Sequence, residues 1–111
     1  MADAYLIVES QITDPEVFKR YIAAAPEVVK SFGGEYLVRG GQIQVLEGDW
    51  QPPRLTVLHF PSFDAARAMY DSPAYVHARS LRDGATACFN MVLVEGVEAP
   101  VVNSKLPQGQ A

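Results

Sequence analysis

The chain has 111 residues, of which 49% are hydrophobic and 20% charged, as is typical of one soluble globular domain. Nine Lys and Arg stand against 13 Asp and Glu, giving a net charge of -4 with no basic cluster, which argues against nucleic acid as a partner. The first apolar run, Ala4 to Val8, is too short for a signal sequence or membrane span, and the single cysteine, Cys88, rules out an internal disulfide, so we expect a cytoplasmic protein without membrane contact.

The first third of the chain predicts a strand and then a helix. From Tyr5 onward no polar residue interrupts either alternating face before Glu9, which indicates a buried strand. Asp14 is a favourable N-cap, and Pro15 suits the first helical position. Pro26 interrupts the helical pattern and predicts a kink or a break, and Gly33 ends the helix. Apolar residues at spacings of three or four mark the packing face of this helix: Phe18, Ile22, Ala25, Val29 and Phe32.

The next stretch, "LVRGGQIQVLEGDWQPPR", predicts a hairpin with polar ends. With a two-residue turn at the double glycine, Val38 faces Ile43 and Tyr36 faces Val45, which makes one side of the hairpin apolar. The proline pair that follows cannot donate to a sheet ladder and therefore marks a turn before the next strand.

The second half of the chain predicts a strand, a pair of helices and a last strand. Arg54 to Phe60 alternates as a strand, with His59 on the same face as Leu55 and Val57. Ser62 caps the first helix, and Ser72 with the following proline opens the second. The last strand spans Cys88 to Gly96.

The order strand, helix, strands, helix pair, strand matches the split β-α-β pattern of an α+β, ferredoxin-like fold. Its antiparallel sheet carries helices on one face only, yet the first and last strands are apolar on both faces. A second copy of the sheet is the most economical cover, so we expect a homodimer. We assign residues 1–96 to one domain and residues 97–111 to a C-terminal tail that is partly disordered or straps onto the partner through Val101 and Val102.

The motifs "LVRGG", "VLEGDW" and "FPSFDAARAMYDSPAY", together with Arg82, resemble the hallmarks of the domain of unknown function 1330 family, small bacterial proteins within the dimeric α/β-barrel superfamily. The resemblance extends from Ala4 to Gly96, with a departure at Met69, where the family usually has a large aromatic residue. It implies a ferredoxin-like fold, a barrel formed across the dimer and a cleft between sheet and helices. At the level of the superfamily it suggests monooxygenase or isomerase chemistry on aromatic or quinone-like substrates.

Two arginines of the predicted hairpin are candidates for ligand binding. Arg39 and Arg54 flank Glu47 and Asp49, and they either form solvated ion pairs or present a guanidinium fork to an anionic or carbonyl-bearing ligand, with Glu47 as a holding carboxylate. Trp50 serves as a wall of that site or caps the edge of the barrel.

The remaining candidates lie on the third strand and the helix pair. His59 is either a rim histidine or a titratable group that points into the cleft, and Tyr70 is the second candidate for proton transfer. Tyr75 and Arg82 are candidate ligand-binding residues that, with Arg79, share one predicted helical face, whose alternative role is packing.

No metal site or cofactor is expected, because the two histidines and one cysteine lack chelating spacing and no phosphate-binding or dinucleotide motif occurs. Two functions remain open. The first is a protein that binds a small organic molecule between sheet and helices, including a cofactor-independent enzyme in which His59 or Tyr70 moves a proton. The second is a non-catalytic interaction or assembly module, in which side chains fill that space.

Overall fold

A computed structural model describes residues 2–98, and it has the predicted order of elements. The chain forms β1 (Ala4–Ile12), α1 (Pro15–Ser31), β2 (Glu35–Arg39), β3 (Leu55–Phe60), α2 (Phe63–Asp71), α3 (Pro73–Ser80) and β4 (Thr86–Glu95). The four strands pair antiparallel in the order β2-β3-β1-β4. This arrangement confirms the α+β, ferredoxin-like fold. The proposed strap at Val101 and Val102 lies outside the described residues.

The caps predicted from sequence form as expected. The Asp14 side chain accepts a hydrogen bond from the Val17 amide (3.2 Å), and Ser62 and Ser72 cap α2 and α3 in the same way. Helix α1 continues across Pro26, so the predicted break does not occur. The helix continues because its apolar stripe is buried against the sheet, and that packing outweighs the lost backbone hydrogen bond.

The helices cover one face of the sheet, which we call the covered face. Its strand residues Leu6, Val8, Leu58 and Phe60 are buried and form one cluster with residues from the helices. The helix residues of that cluster are Ala25, Val29, Ala66, Met69, Tyr75 and Ala78. The site described below lies within this layer.

The predicted hairpin at the double glycine is wrong. Strand β2 pairs with β3, and residues 41–54 form a loop that contains no strand. The Gly40 amide donates to the Leu55 carbonyl (2.9 Å) where the loop begins, and Leu46 within it is exposed. Pairing with β3 gives that strand a second neighbour and places Tyr36 beside the buried Leu58, whereas a local hairpin would have left β3 as an edge.

The opposite face of the sheet, which we call the open face, has no helix of residues 2–98 against it. Tyr5, Ile7 and Glu9 of β1 point to it and are partly exposed, and on β4 Val92 (59% exposed) and Val94 (44%) extend the same surface. The helices therefore explain the apolar residues on the covered face of these strands but not those on the open face. Among the described residues, no helix is long and apolar enough to cross a membrane.

Candidate functional site

A cavity of about 40 Å³ lies between the covered face and helix α1. Its polar side chains are Ser10, Thr56, three tyrosines and two arginines, and the rest of its wall is apolar or aromatic. The five larger ones are Tyr21, Tyr36, Tyr75, Arg39 and Arg54, and we call this space the arginine–tyrosine cavity. Pockets for small molecules usually have about 300 Å³ or more, so the space is narrow as it stands.

A β-bulge in β2 brings Arg39 to this cavity. Tyr36 lies opposite Leu58, but the register then shifts, so that Val38 lies opposite Val57 and Arg39 lies opposite Thr56. Without the bulge, strict alternation would place Arg39 on the open face, opposite to Tyr36. The Arg39 guanidinium instead lies 4.5 Å from the centroid of the Tyr36 ring.

Arg54 reaches the cavity from the residue that precedes β3. Its backbone carbonyl accepts a hydrogen bond from the Ser10 amide (3.1 Å), and its guanidinium carbon lies against Gly40, where a Cβ would be 3.1 Å away. Neither Arg54 nor Arg39 has a carboxylate of the described residues within ion-pair distance. The alternative of ion pairs with Glu47 and Asp49 is therefore not realised, and within residues 2–98 both guanidinium groups lack a carboxylate partner.

Two tyrosine hydroxyls form a hydrogen bond in the wall of the cavity. The Tyr21 hydroxyl on α1 and the Tyr75 hydroxyl on α3 are 2.5 Å apart, and Tyr75 is only 1% exposed. Burial raises the pKa of Tyr21 well above its usual range, the adjacent Tyr75 raises it further, and Arg82 partly opposes the rise. Tyr21 is consequently a proton-bearing donor at neutral pH.

Tyr36 contributes a third phenol. Burial raises its pKa, the Arg39 guanidinium lowers it in part, and Tyr75 adds to the rise. Like Tyr21, it carries its proton at neutral pH and offers the cavity a hydrogen-bond donor rather than a negative charge.

Arg82 stands behind the tyrosine pair and does not line the cavity. Its guanidinium carbon lies 3.7 Å from the centroid of the Phe89 ring and 5.0 Å from that of Tyr21. Its Nε is buried and has no hydrogen-bond partner in the described part of the chain. The expectation of a shared helical face with Tyr75 is wrong in detail, because α3 ends at Ser80 and Arg82 follows in a turn.

His59 lies on the open face and is not part of the cavity. Its Nε2 is 2.9 Å from Asp3 Oδ2, its Nδ1 is 3.8 Å from Glu35 Oε1, and its ring lies 5.5 Å from that of Tyr5. Of the two alternatives for His59, the one in which it points into the cleft is wrong, because it shares the face of Val57 and Leu55, away from the helices. Asp3 supplies the orienting partner that the sequence did not reveal.

Trp50 and Glu47 are also outside the cavity. The Trp50 indole nitrogen donates to Glu9 Oε2 (3.2 Å), and the other oxygen of Glu9 accepts from the Asn90 amide (3.0 Å), so Trp50 covers part of the open face. Glu47 is exposed on the 41–54 loop, where it holds neither arginine. The loop that carries both residues leaves the sheet because the expected hairpin does not form.

Tyr70 lies in a separate groove beside α2, which Arg67, Met91 and Leu93 also line. Its ring is 5.7 Å from that of Tyr75, and the Arg79 guanidinium lies 4.4 Å from its centroid. Tyr70 therefore packs behind Tyr75 instead of entering the cavity.

Of the eight side chains predicted for a site, the structure brings three to the cavity, Arg39, Arg54 and Tyr75. Sequence reasoning missed Tyr21 and Tyr36. A signal for Tyr21 was present, because it lies three residues after Phe18 and beside the apolar stripe of α1, and a hydroxyl at that position faces the core side of the helix. In residues 2–98, no group of three His, Cys, Asp or Glu side chains is placed to hold a metal ion.

The comparisons with known proteins identify a family and a fold. The family described as Domain of unknown function (DUF1330) matches residues 3–97. None of the curated proteins matches the sequence. A protein of unknown function, RPA0582 from Rhodopseudomonas palustris, is similar in structure with a TM-score of 0.68 and 17% identity, over 88% of this chain and 85% of that one.

Two further structures are similar at lower scores. A dimeric ferredoxin-like protein of unknown function from Thermobifida fusca has a TM-score of 0.58 and 17% identity, over 85% of this chain and 91% of that one. SnoaB, a cofactor-independent oxygenase from Streptomyces nogalater, has a TM-score of 0.58 and 11% identity, over 89% of this chain and 97% of that one. At these identities the likeness concerns the fold.

Proposed function

The chain belongs to the DUF1330 family, and we propose that its arginine–tyrosine cavity binds a small organic molecule that carries a negative charge or a polarised oxygen. The observation that carries this proposal is the position of Arg39 and Arg54. Both guanidinium groups reach one cavity, and neither has a carboxylate partner among the described residues, although the chain is acidic overall. An unpaired guanidinium fork is well suited to a carboxylate, phenolate or enolate oxygen.

The wall of the cavity favours an organic ligand over an inorganic anion. Phe18, Tyr36 and Phe89 supply aromatic surface, and aliphatic and methionine side chains supply most of the rest. A ligand larger than a few atoms requires the wall to move, and Met69 and Met91 have unbranched side chains that change rotamer readily.

The chemistry available here is cofactor-independent and passes through an oxyanion. The arginines stabilise negative charge on a ligand oxygen. The hydroxyls of Tyr75 and Tyr21 donate or exchange a proton, and they thereby replace His59 and Tyr70 as the groups proposed for proton transfer. An enolate or phenolate of this kind is common to isomerisation and to cofactor-independent oxygenation. The likeness in fold to SnoaB makes oxygenation the first reaction to assay.

We propose a homodimer formed through the open face. Val57, Val92 and Val94 lie on that face and form an apolar surface that no other part of residues 2–98 covers as a layer. The Thermobifida fusca protein of similar fold is dimeric. A second sheet packed against the first would bury these side chains. We also propose a cytoplasmic location, because the free thiol of Cys88 is typical of a reducing compartment.

The second candidate function is a non-catalytic interaction module, and one observation favours it. Side chains leave only about 40 Å³ between the sheet and α1, much less than the 300 Å³ or more that is usual for a ligand pocket. In this alternative the arginines contribute to solubility and assembly rather than to ligand binding.

Native mass spectrometry of the purified protein and calorimetric titration with benzoate distinguish the two candidates. We expect a dimer that binds benzoate, and we expect Arg39→Met and Arg54→Met each to weaken binding by about tenfold, the effect of one lost charged hydrogen bond. Arg20→Met removes the same charge from an exposed position of α1 and should leave binding unchanged. Absence of both a retained mass and benzoate binding would favour the interaction module.

A further inference from the structure

We propose that the ligand of the arginine–tyrosine cavity is an aromatic or enolic oxygen acid, bound as its oxyanion, whose oxygen accepts a hydrogen bond from the Tyr21–Tyr75 pair. The inference rests on the proposed function and names its ligand class. It assigns Arg82 as a positioning residue that directs the donor toward the cavity.

The Tyr21–Tyr75 pair has one hydroxyl hydrogen more than its mutual contact uses. Each phenol has one hydrogen, and the contact between Tyr21 and Tyr75 uses only one of the two. Among the described residues, neither hydroxyl has a second hydrogen-bond partner that could accept this hydrogen. A buried pair with one spare O–H donor calls for an acceptor, and both hydroxyl-bearing residues line the cavity.

Arg82 lies close to the Tyr21 ring, with its guanidinium carbon 5.0 Å from the ring centroid, and its guanidinium can only donate. Arg82 therefore cannot accept the spare hydrogen, and its positive charge repels a hydrogen that points toward it. The hydrogen is directed away from Arg82 and into the cavity.

The residues around the cavity indicate the charge of the acceptor. Of the described residues, no Asp or Glu lines the cavity, whereas Arg39 and Arg54 do. A positive environment with aromatic walls stabilises the anionic form of a planar acid. The two oxygens of a carboxylate match the two N–H groups of an arginine fork, whereas a single ionised oxygen gains from the tyrosine donor as well. If binding of a ligand depends on both tyrosine hydroxyls, the ligand is therefore a phenolate or an enolate.

The test uses 4-nitrophenol, whose absorption distinguishes phenol from phenolate. We expect the wild-type protein to lower the apparent pKa of the bound probe. Tyr75→Phe and Tyr21→Phe should each weaken phenolate binding by about tenfold and raise that apparent pKa by about one unit, the effect of one charged hydrogen bond. Arg82→Met should shift the same values in the same direction, with partial recovery in Arg82→Lys. Benzoate affinity should change by less than about twofold in both tyrosine variants.

Tyr5→Phe is the matched control, because Tyr5 lies on the open face and does not line the cavity. If Tyr75→Phe and Tyr21→Phe bind nitrophenolate as tightly as the wild type while Arg39→Met does not, the ligand class is overturned and the proposed function stands. If the wild-type protein binds benzoate but not nitrophenolate, the ligand class is likewise overturned and the proposed function stands. Failure to bind either probe overturns the proposed function and this inference together.

Discussion

The hydroxyl of Tyr21 lies 2.5 Å from the hydroxyl of Tyr75, and this contact joins α1 to α3 across the wall of the cavity. The two residues are 54 positions apart in the chain, and their rings meet edge to face with centroids 6.2 Å apart. The contact therefore has a structural role, in addition to the role in ligand binding that we propose for it.

Removal of one hydroxyl should destabilise the fold because the other is left buried without a partner. We expect Tyr75→Phe and Tyr21→Phe each to lower the free energy of unfolding by about 1–2 kcal/mol. The double variant should lose less than the sum, by about 1 kcal/mol, because the second substitution removes the stranded group. Urea unfolding of the four proteins measures this, and strict additivity would mean that the two hydroxyls do not interact in solution.

Stability should fall at alkaline pH. Burial raises the pKa of Tyr21 and of Tyr36 above the ordinary value of 10.0, so the folded chain holds protons that the unfolded chain releases. Their contribution is complete below the unfolded pKa and is lost as the pH rises toward the folded one, with a slope of up to about 1.4 kcal/mol per pH unit for each tyrosine. Unfolding measured between about pH 9 and 11 checks this. Tyr21→Phe should show a shallower decline, and an unchanged slope would contradict the assignment.

Gly40→Ala should disturb both the loop and Arg54. Gly40 has φ +72, a left-handed conformation that costs other residues about 1–2 kcal/mol, and a new Cβ would lie 3.1 Å from the Arg54 guanidinium carbon. We expect Gly40→Ala to lower the free energy of unfolding by about 1–2 kcal/mol and to weaken benzoate binding. Gly41→Ala is the matched control, since nothing lies within 4 Å of its Cβ, and the two substitutions should not have equal effects.

Met69→Ala should enlarge the cavity at a cost in stability. Met69 is 1% exposed and lines the cavity, so its truncation should lower the unfolding free energy by about 2–5 kcal/mol. If cavity volume limits binding, the variant should bind a larger aromatic acid such as 2-naphthoate more tightly, relative to benzoate, than the wild type does. Calorimetric titration with both acids measures the ratio, and a ratio that stays constant would place the ligand outside this part of the cavity.

Val92→Lys should dissociate the proposed dimer. Val92 is 59% exposed on the open face, where a buried ammonium group would be costly to desolvate. Val76 of α3 has a similar exposure of 45% but lies on the helical side, so Val76→Lys should remain dimeric. Sedimentation velocity at micromolar concentration separates the two expectations. A wild-type monomer, or dimers in both variants, would overturn the open face as the interface.

The order and type of the elements were accessible from the sequence because the signals for them are local. Asp14 and Ser72 with the proline after it mark helix starts through hydrogen bonds to residues three positions away, and these caps form as predicted. The apolar strands and the helical stripe are likewise read within short windows, and together they specify a ferredoxin-like order. The absence of a helical cover on one side followed from the same pattern.

Only the tertiary structure decided which side chains meet. The partner of β2 is a strand 15 or more residues further on, and sequence periodicity carries no information on that choice. The bulge after Tyr36 then moves Arg39 by one position to the covered face, while unbroken alternation leaves His59 on the open face beside Asp3. Because neighbouring residues of a strand point to opposite faces, one extra residue decides whether a guanidinium group enters the cavity or faces away from it.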